Sequence, residues 1–173
     1  MNNIFWEKHG AELISPFEPK NIQPNGLDLR LGELIIDYNN LGKIDSKRNI
    51  PSGKTIRMSS FEGFVLKPHS FYLGTTVEKV KIPSEYIGRV EGRSSMGRLG
   101  VTVHVTAGFI DTGFEGHITL ELANLSGNEV VIYPNQRICQ LIFESVASGG
   151  KLYDGKYNGQ IHPQPSLMNV DDF

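Results

Sequence analysis

Short runs in which apolar and polar residues alternate are the feature that most constrains how this chain can fold. In residues 101–106 valine occupies every second position, and in residues 117–122 isoleucine or leucine alternates with His117, Thr119 and Glu121. Alternation with a period of two is typical of a β-strand with one buried face, so each set should share a face. Turn residues divide such runs about every 8–12 residues, which predicts an all-β sandwich, jelly roll or barrel.

Runs rich in β-branched or aromatic residues extend this pattern over most of the chain. The further expected strands are 27–31, 33–38, 55–58, 63–66, 71–80, 130–133 and 138–143. One helical pattern lies near the amino terminus, over residues 5–14. The dipeptide Ser15-Pro16 ends it, because proline lacks a backbone donor and restricts the residue before it. The expectation is an all-β fold with one short N-terminal helix.

The composition changes near residue 148. The chain has 173 residues, which suits one domain of ordinary size. From residue 148 onward glycine and proline are frequent and apolar residues are few. We therefore expect a single β-barrel domain over 1–147 and a C-terminal segment over 148–173. Composition leaves two interpretations of that segment open, a frayed terminus and a mobile lid.

Charge and cysteine content argue against several classes of function. The chain has 17 basic and 19 acidic residues, a formal net charge of −2, which argues against binding nucleic acid or membranes through bulk charge. Cys139 is the only cysteine, so it has no partner for an intramolecular disulfide, and a reducing, cytoplasmic location is the simplest expectation. We expect neither a secretory signal nor a membrane span, since no stretch approaches the roughly 20 apolar residues required.

The densest group of unusual residues lies in the segment 90–100, which reads Val-Glu-Gly-Arg-Ser-Ser-Met-Gly-Arg-Leu-Gly. Glycines let a backbone approach a ligand closely, while Ser94 and Ser95 add hydroxyls and Arg93 and Arg98 add positive charge. This combination suits phosphate oxygens. It is not a P-loop, because no Lys-Ser/Thr pair follows at the required spacing. A solvated Gly/Ser/Arg loop without a ligand is the alternative.

Two carboxylates follow this segment. Asp111 lies between Gly108 and Gly113, and Glu121 shares a predicted strand face with Thr119. Asp111 taken alone could be an Asx-turn residue, and Glu121 could simply lie on a solvated face. Beside an anion-binding loop, however, two carboxylates can accept a proton from a water nucleophile and return it to a leaving group.

Hydrolytic deamination of a cytosine ring requires such a proton relay, because water adds at C4, a ring nitrogen gains a proton and ammonia leaves. Zinc-dependent deaminases activate that water with a His/Cys ligand set. The five histidines, at 9, 69, 104, 117 and 162, show no metal-ligand spacing, and there is one cysteine. A deaminase built on this sequence would therefore work without zinc. His104 and Cys139 are expected to be packed, inert residues.

Ordered motifs cover most of the chain, at 23–32, 92–100, 103–111, 116–121 and 156–160. Together they strongly resemble the dCTP deaminase family, whose fold is similar to that of trimeric dUTPases. The resemblance implies a dUTPase-like distorted β-barrel or jelly-roll subunit in a homotrimer, with active sites where subunits meet. It also favours the lid interpretation of the C-terminal segment, which would close over the triphosphate.

The resemblance implies a role for each residue that matches a family motif. Glu121 would donate and accept the proton, with Ser94 and Arg98 nearest the reacting water. The implied substrate-binding residues are Arg93, Ser94, Ser95, Met96, Gly97, Arg98, Asp111, Thr119, Leu120, Glu121, Gln140, Tyr153, Lys156 and Gln160. Mg²⁺ would be bound through the nucleotide phosphates rather than in a protein cage. A thymine nucleotide, dTTP, would fit the same pocket as an inhibitor.

Gly108 and Phe109 bear on which product leaves. Family members that only deaminate tend to carry a bulky basic pair there, whereas members that also hydrolyse the α–β phosphate linkage carry glycine and an aromatic residue. The resemblance thus implies that dCTP and two waters give dUMP, ammonia and pyrophosphate, with Asp111 orienting a water against the α-phosphate and dUMP supplying thymidylate synthesis. The alternatives are a deaminase that releases dUTP, a plain dUTPase, and a catalytically silent barrel that binds a nucleotide or a partner protein.

Overall fold

The computed structural model describes residues 1–147 and 151–168, and the fold is mostly β. The helices are α1 (Asn3–Leu13) and α2 (Ser94–Gly97), with a 3₁₀ helix at Pro19–Asn21. The strands are β1 (Ile14–Ser15), β2 (Ile22–Gln23), β3 (Gly26–Arg30), β4 (Leu34–Asp37), β5 (Lys54–Arg57), β6 (Phe64–Leu66), β7 (Ser70–Lys81), β8 (Tyr86–Gly92), β9 (Val101–Thr102), β10 (Phe109–Ile110), β11 (Glu115–Asn124), β12 (Val130–Ile132) and β13 (Arg137–Ser145).

The described strands form three antiparallel sheets. The six-stranded sheet has the order β5-β4-β7-β11-β9, with β1 also paired to β7. The five-stranded sheet has the order β10-β8-β13-β3-β2, and β6 pairs with β12 in a small third sheet. Within the described residues these sheets do not close into a barrel, so the barrel form of the prediction is corrected, while the mostly β fold with an N-terminal helix is confirmed.

One apolar core joins the two larger sheets. Leu120 and Leu122 of β11 are fully buried, as are Leu29 of β3 and Leu141 of β13. Burial of such side chains contributes about 1.5–3 kcal/mol each relative to exposure. This shared core holds the strand that carries Glu121 in a fixed position.

A buried ion pair also joins the two sheets. The Nε–H of Arg30 on β3 donates to Glu78 Oε1 on β7 at 2.6 Å, and the backbone N–H of Arg30 donates to Glu78 Oε2 at 2.8 Å. Glu78 is 1% exposed. A carboxylate buried to this extent requires a charged or hydrogen-bonding partner, and Arg30 provides both.

Helix α1 begins two residues earlier than the predicted range 5–14 and ends one residue sooner. The side chain of Asn2 accepts a hydrogen bond from the Phe5 backbone N–H at 3.3 Å, as an N-cap does. The helix packs on the core through Trp6, which is fully buried and lies 4.9 Å, centroid to centroid, from Phe143. None of the helices within the described ranges is long and apolar enough to cross a bilayer.

The short strands β1, β2 and β10 were not predicted, and two larger differences from the predicted strands also occur. The strand expected over 101–106 ends at Thr102, and Val105 is 55% exposed, so the valines there do not share one face. The cause is tertiary, because the Val105 backbone N–H donates to Glu121 instead of extending a ladder. Strand β8 was not predicted, because its glycines and charged residues obscure the alternation.

Candidate active site

Glu121 lies near the middle of β11, directly opposite Leu73 of β7. Its side chain is half-buried, and its backbone N–H donates to the carbonyl of Val103 at 2.9 Å. Strand β11 pairs with β7 along most of its length and with β9 only at its end, over Ala123 and Asn124. The region beside Glu121 is therefore open to a loop rather than to another strand.

That loop, residues 103–106, wraps around one side of the Glu121 carboxylate. The Val105 N–H donates to Glu121 Oε2 at 2.7 Å, and the Thr106 N–H lies 3.4 Å from the same oxygen. Hydrogen bonds of this kind from backbone donors to a carboxylate are charge-assisted and fix its orientation. Glu121 Oε1 makes no hydrogen bond to any described residue, so it is the oxygen available to a water or a ligand.

The second carboxylate, Asp111, begins a tight turn after β10. The Phe114 N–H donates to the Asp111 carbonyl at 3.3 Å, and Gly113 takes a φ of 82°, which glycine adopts without strain. The Asp111 side chain is exposed. A turn at this point therefore presents the carboxylate at the surface, beside β11.

A cavity of about 420 Å³ contains both carboxylates. Its lining residues come from four parts of the chain: the end of β4 and strand β7, the 107–114 segment, β11, and the C-terminal segment. They are Tyr38, Phe71, Leu73, Ala107, Phe109, Ile110, Asp111, Phe114, Ile118, Thr119, Glu121, Tyr153, Tyr157, Gln160, Gln164 and Ser166. Its volume lies in the range for small-molecule sites. We call this cavity the acidic pocket.

The C-terminal segment is docked along β11 beside the acidic pocket. Gln160 exchanges backbone and side-chain hydrogen bonds with His117, including one from Gln160 Nε2 to the His117 carbonyl at 2.6 Å. The Thr119 hydroxyl donates to Gln160 Oε1 at 3.2 Å and accepts from the Gln164 N–H at 3.1 Å. Tyr153 packs against Phe114 with ring centroids 6.2 Å apart. The segment thus forms part of the pocket wall.

Tyr38 also lines the acidic pocket, next to the C-terminal segment. Its hydroxyl donates to the Pro51 carbonyl at 2.8 Å, and its ring packs edge-on against Phe71. Burial raises the pKa of the Tyr38 hydroxyl, and a hydrogen bond from the Ser166 backbone partly opposes that increase. Tyr38 therefore remains neutral at physiological pH and contacts the C-terminal segment as a hydrogen-bonding phenol.

A second polar cluster lies on the five-stranded sheet, around the buried side chain of Asp28. Asp28 Oδ2 lies 3.3 Å from Arg93 Nε and accepts from Arg137 Nη1 at 3.2 Å, while Oδ1 accepts from Gln140 Nε2 at 3.0 Å. Arg93 Nη1 also donates to the Arg137 carbonyl at 3.3 Å. We call Asp28, Arg93, Arg137 and Gln140 the arginine array.

Helix α2 follows this array directly. Ser94, Ser95, Gly97 and Arg98 are exposed, whereas Met96 is 3% exposed and contributes its side chain to the core. This one-turn helix was not predicted. The exposed hydroxyls of Ser94 and Ser95 and the Arg98 guanidinium therefore lie at the surface next to Arg93.

Within one chain the structure brings together some of the predicted site residues and separates others. The acidic pocket is lined by Phe109, Asp111, Thr119, Glu121, Tyr153 and Gln160 from the predicted set. Among the described residues, its lining does not include Arg93, Ser94, Ser95, Met96, Gly97, Arg98, Gly108, Leu120, Gln140 or Lys156. The Leu120 side chain is fully buried, and Lys156 is exposed on the C-terminal segment.

The separation follows from strand β8. Ile110 pairs with Gly88 on this strand, and Arg93 follows the strand's last residue, Gly92. Five residues of extended strand span about 17 Å, so Asp111 and Arg93 lie near opposite ends of β8. The predicted site residues of one chain therefore lie in two separate groups.

Residues 6–146 match the sequence model that describes the dCTP deaminase-like family. This match spans most of the chain. The chain belongs to the dCTP deaminase-like family. Similar proteins include "dCTP deaminase, dUMP-forming" of Methanosphaera stadtmanae, 44% identical over 174 aligned positions that cover 94% of this chain and 88% of that protein. The protein of the same name from Aquifex aeolicus is 42% identical over 165 positions, covering 94% and 89%.

The fold is also similar to a solved structure. The crystal structure of 2′-deoxycytidine 5′-triphosphate deaminase from Agrobacterium tumefaciens superposes with a TM-score of 0.68 and 18% identity. The superposition covers 84% of this chain and 47% of that chain. At this identity the similarity establishes the fold that the dCTP deaminase-like chain adopts.

In this dCTP deaminase-like chain, close contacts explain why residue 108 is a glycine. A Cβ at this position would lie 2.8 Å from the Val90 carbonyl oxygen and 3.1 Å from His104 Nε2. Any larger residue would therefore press on the β8 backbone at Val90 and on the His104 ring of the 103–106 loop. Phe109, the next residue, is 53% exposed and lines the acidic pocket.

Several residues of the site were not predicted. Tyr38, Phe71, Tyr157, Gln164 and Ser166 line the acidic pocket, and Asp28 anchors the arginine array. Tyr157 carried a usable signal, because an aromatic residue in a Gly-rich segment suggests a packed contact. Tyr38 carried none, since its place in the pocket depends on pairing between strands distant in sequence.

The positions of the His, Cys, Asp and Glu side chains bear on whether the protein could hold a metal ion. Within 1–147 and 151–168, no three His, Cys, Asp or Glu side chains are grouped closely enough to hold a metal ion. Burial raises the pKa of the Cys139 thiol well above its ordinary value, so this cysteine is a protonated core residue.

Proposed function

We propose that this chain catalyses the conversion of dCTP and two waters to dUMP, ammonia and pyrophosphate. The observation that carries the proposal is the Glu121 carboxylate, which is oriented by the Val105 N–H in a pocket that also contains Asp111. Membership of the dCTP deaminase-like family and the relatives named "dCTP deaminase, dUMP-forming" support the choice of substrate and product.

In the proposed deamination, Glu121 acts as general base and then as general acid. Its Oε1, which makes no hydrogen bond to a described residue, accepts a proton from the water that adds to C4 of the cytosine. Glu121 passes this first proton to the ring nitrogen. It then takes the proton of the new C4 hydroxyl and delivers it to the amino group, so ammonia leaves, C4 becomes a carbonyl and Glu121 ends the cycle ionised. We assign Ser94 and Arg98 to the stabilisation of the reacting water and the charge that develops at C4.

In the proposed phosphate step, Asp111 orients a second water against the α-phosphate, and pyrophosphate leaves. Asp111 and Glu121 share one pocket, so one bound nucleotide can meet both carboxylates. Mg²⁺ would be held by the triphosphate oxygens, where it would neutralise charge on the leaving pyrophosphate. Lys156 and Tyr153 on the C-terminal segment, and Gln140 on β13, are proposed to complete the nucleotide site, with the backbone of Leu120 beside the base.

A homotrimer with shared sites is part of the proposal. Arg93 to Arg98 and Gln140 lie outside the acidic pocket of their own chain, so a second copy is needed to place them against the same nucleotide. We propose residues 1–147 as the catalytic unit and 148–173 as its lid; of the lid, residues 148–150 and 169–173 lie outside the described residues. A cytoplasmic location and inhibition by dTTP remain proposals of the same kind.

Two related functions make different predictions for the same assay. A deaminase that stops at dUTP requires only Glu121, whereas a plain dUTPase requires only Asp111. The dUMP-forming reaction is favoured because both carboxylates line the pocket and Gly108 leaves room for the loop that holds Glu121.

The test is to incubate the enzyme with Mg²⁺ and dCTP, then separately with dUTP, and to follow ammonia, pyrophosphate and the nucleotides by chromatography. Equal amounts of ammonia, pyrophosphate and dUMP from dCTP are expected. Accumulation of dUTP would support the deaminase that stops early. Hydrolysis of dUTP without ammonia release from dCTP would support the dUTPase, and no turnover of either nucleotide would contradict the proposal.

A further inference from the structure

Asp28 is a buried carboxylate that neither proposed reaction step uses. It lies in the middle of β3, with no exposed surface, and it faces Gln140 directly across the β3–β13 ladder. Burying an ionised carboxylate costs several kcal/mol unless it is paired and hydrogen-bonded. The position of Asp28 therefore requires a compensating arrangement of donors.

The compensating donors come from three separate residues. Arg93 follows β8, and Arg137 and Gln140 belong to β13, so Asp28 ties together two strands and the start of α2. Both guanidiniums share Oδ2, while Oδ1 accepts from the Gln140 amide. Without this anion, two like charges would face each other at the same point.

The contacts of Arg93 show which of its N–H donors remain available to a ligand. Its Nε pairs with Asp28 and its Nη1 donates to the Arg137 carbonyl, whereas Nη2 makes no hydrogen bond to a described residue. The side chain is 27% exposed. A guanidinium held at Nε and Nη1 presents its Nη2–H donors in a fixed orientation, which suits a charge-assisted hydrogen bond to a phosphate oxygen.

We propose that Asp28 is a positioning residue for nucleotide binding, which fixes Arg93, Arg137 and Gln140 as one preorganised receptor for the triphosphate. The proposal rests on the proposed function, because Arg93 and Gln140 are the residues assigned there to the nucleotide. Asp28 itself is buried beneath the array and does not touch the substrate. Preorganisation of this kind increases affinity by removing the cost of ordering long side chains on binding.

The test compares Asp28→Asn with Glu78→Gln. Glu78 is the matched control, since it is equally buried and paired with an arginine, but it contacts none of the residues assigned to the nucleotide. We expect Asp28→Asn to raise the KM for dCTP about 30-fold with kcat within about threefold of the wild type. Glu78→Gln should lower Tm without changing KM.

Binding of truncated ligands separates positioning from general loosening. Asp28→Asn should weaken binding of dCTP strongly and of deoxycytidine, which has no phosphate, little. In the Arg93→Ala background the Asp28→Asn change should add little to KM, because the two residues act as one unit. Full additivity, or an unchanged KM in a folded Asp28→Asn enzyme, would overturn the positioning role.

A second variant keeps the test decisive if Asp28→Asn fails to fold. Arg137 is 44% exposed, so Arg137→Met should fold, and it removes one of the two guanidiniums on Asp28. The proposal expects a rise in KM of about three- to tenfold at constant kcat; an unchanged KM overturns it. Absence of dCTP turnover in the wild type would instead contradict the proposed function, so the two failures are distinguishable.

Discussion

The acidic pocket and the arginine array use charge in opposite ways. In the acidic pocket, Glu121 is held by neutral backbone N–H groups and keeps one oxygen uncommitted. In the arginine array, Asp28 is fully buried and both of its oxygens are committed to charged or amide donors. A carboxylate with an uncommitted oxygen can exchange protons, whereas a committed one can only orient its neighbours. We therefore propose that the acidic pocket carries the chemistry and that the arginine array serves substrate binding.

Glu121→Gln, in the acidic pocket, is expected to cause the largest loss of activity. The amide retains the hydrogen bond from the Val105 N–H through its oxygen but cannot accept a proton, so ammonia release should fall by about 10³-fold or more. The measurement is ammonia release from dCTP at saturating nucleotide. Binding of dCTP should persist, which separates this variant from Asp28→Asn, and appreciable ammonia turnover would remove Glu121 from its assigned role.

Asp111→Asn is expected to affect the second half of the reaction. Pyrophosphate release should fall by about 10²-fold while ammonia release continues, because Asp111 serves the phosphate and not the ring. Assaying both products from dCTP, with dUTP as a second substrate, measures the split. The side chain is exposed, so Tm should not change. Equal loss of both activities, or loss of neither, would contradict the division of roles.

How far the sequence predicts these two regions depends on whether local pattern or tertiary contact decides the structure. The alternation over 117–122 predicts β11 and the face that carries Glu121, because one side of that strand is buried. The same alternation over 101–106 is misleading. There the donors of Val105 and Thr106 serve Glu121, a contact that no local pattern contains.

The arginine array is the harder region to predict. In 27–31, leucine alternates with Asp28 and Arg30, a pattern that places the charged residues on a solvated face. In the structure Asp28 is fully buried because β13 and the start of α2 supply its partners, 65 to 112 residues away in the chain. The family motifs predict Arg93 and Gln140 as binding residues, but only the fold shows that Asp28 contacts both.

Removal of the C-terminal segment from Lys151 onward is expected to have an intermediate effect on activity. Gln160 and Gln164 hold the Thr119 hydroxyl beside the acidic pocket, so their loss opens the site to water. Turnover of dCTP should fall by about 10- to 100-fold. A matched variant with Gln160→Ala and Gln164→Pro in the full chain tests the same contacts without truncation. Unchanged rates in both would identify the segment as a frayed end.

The smallest effect is expected where the C-terminal segment meets the outer edge of β11. The Lys79 ammonium beside Glu115 lowers the pKa of that carboxyl, so the pair contributes stability that is present above the ordinary pKa of glutamate and is lost as pH falls through the lowered value. Both side chains are about half exposed, which limits the contribution to within about 0.5 kcal/mol.

Lys79→Met should therefore reduce the free energy of unfolding slightly at pH 7 and leave it unchanged near pH 3, as measured by urea denaturation at the two pH values. Activity towards dCTP should stay at the wild-type level. A larger loss at pH 3 than at pH 7 has the wrong sign and would contradict the assignment of this ion pair.

Complementation between inactive variants is the most direct test of a shared site, in which the acidic pocket of one copy meets Arg98 of another copy. Glu121→Gln and Arg98→Ala are each expected to be inactive alone, because each removes one half of every site. After unfolding and refolding of a 1:1 mixture, random assembly into trimers should leave both halves intact in about a quarter of all sites. Ammonia release from dCTP at about that fraction of the wild-type rate is expected, and a mixture as inactive as its components would contradict a site shared between copies.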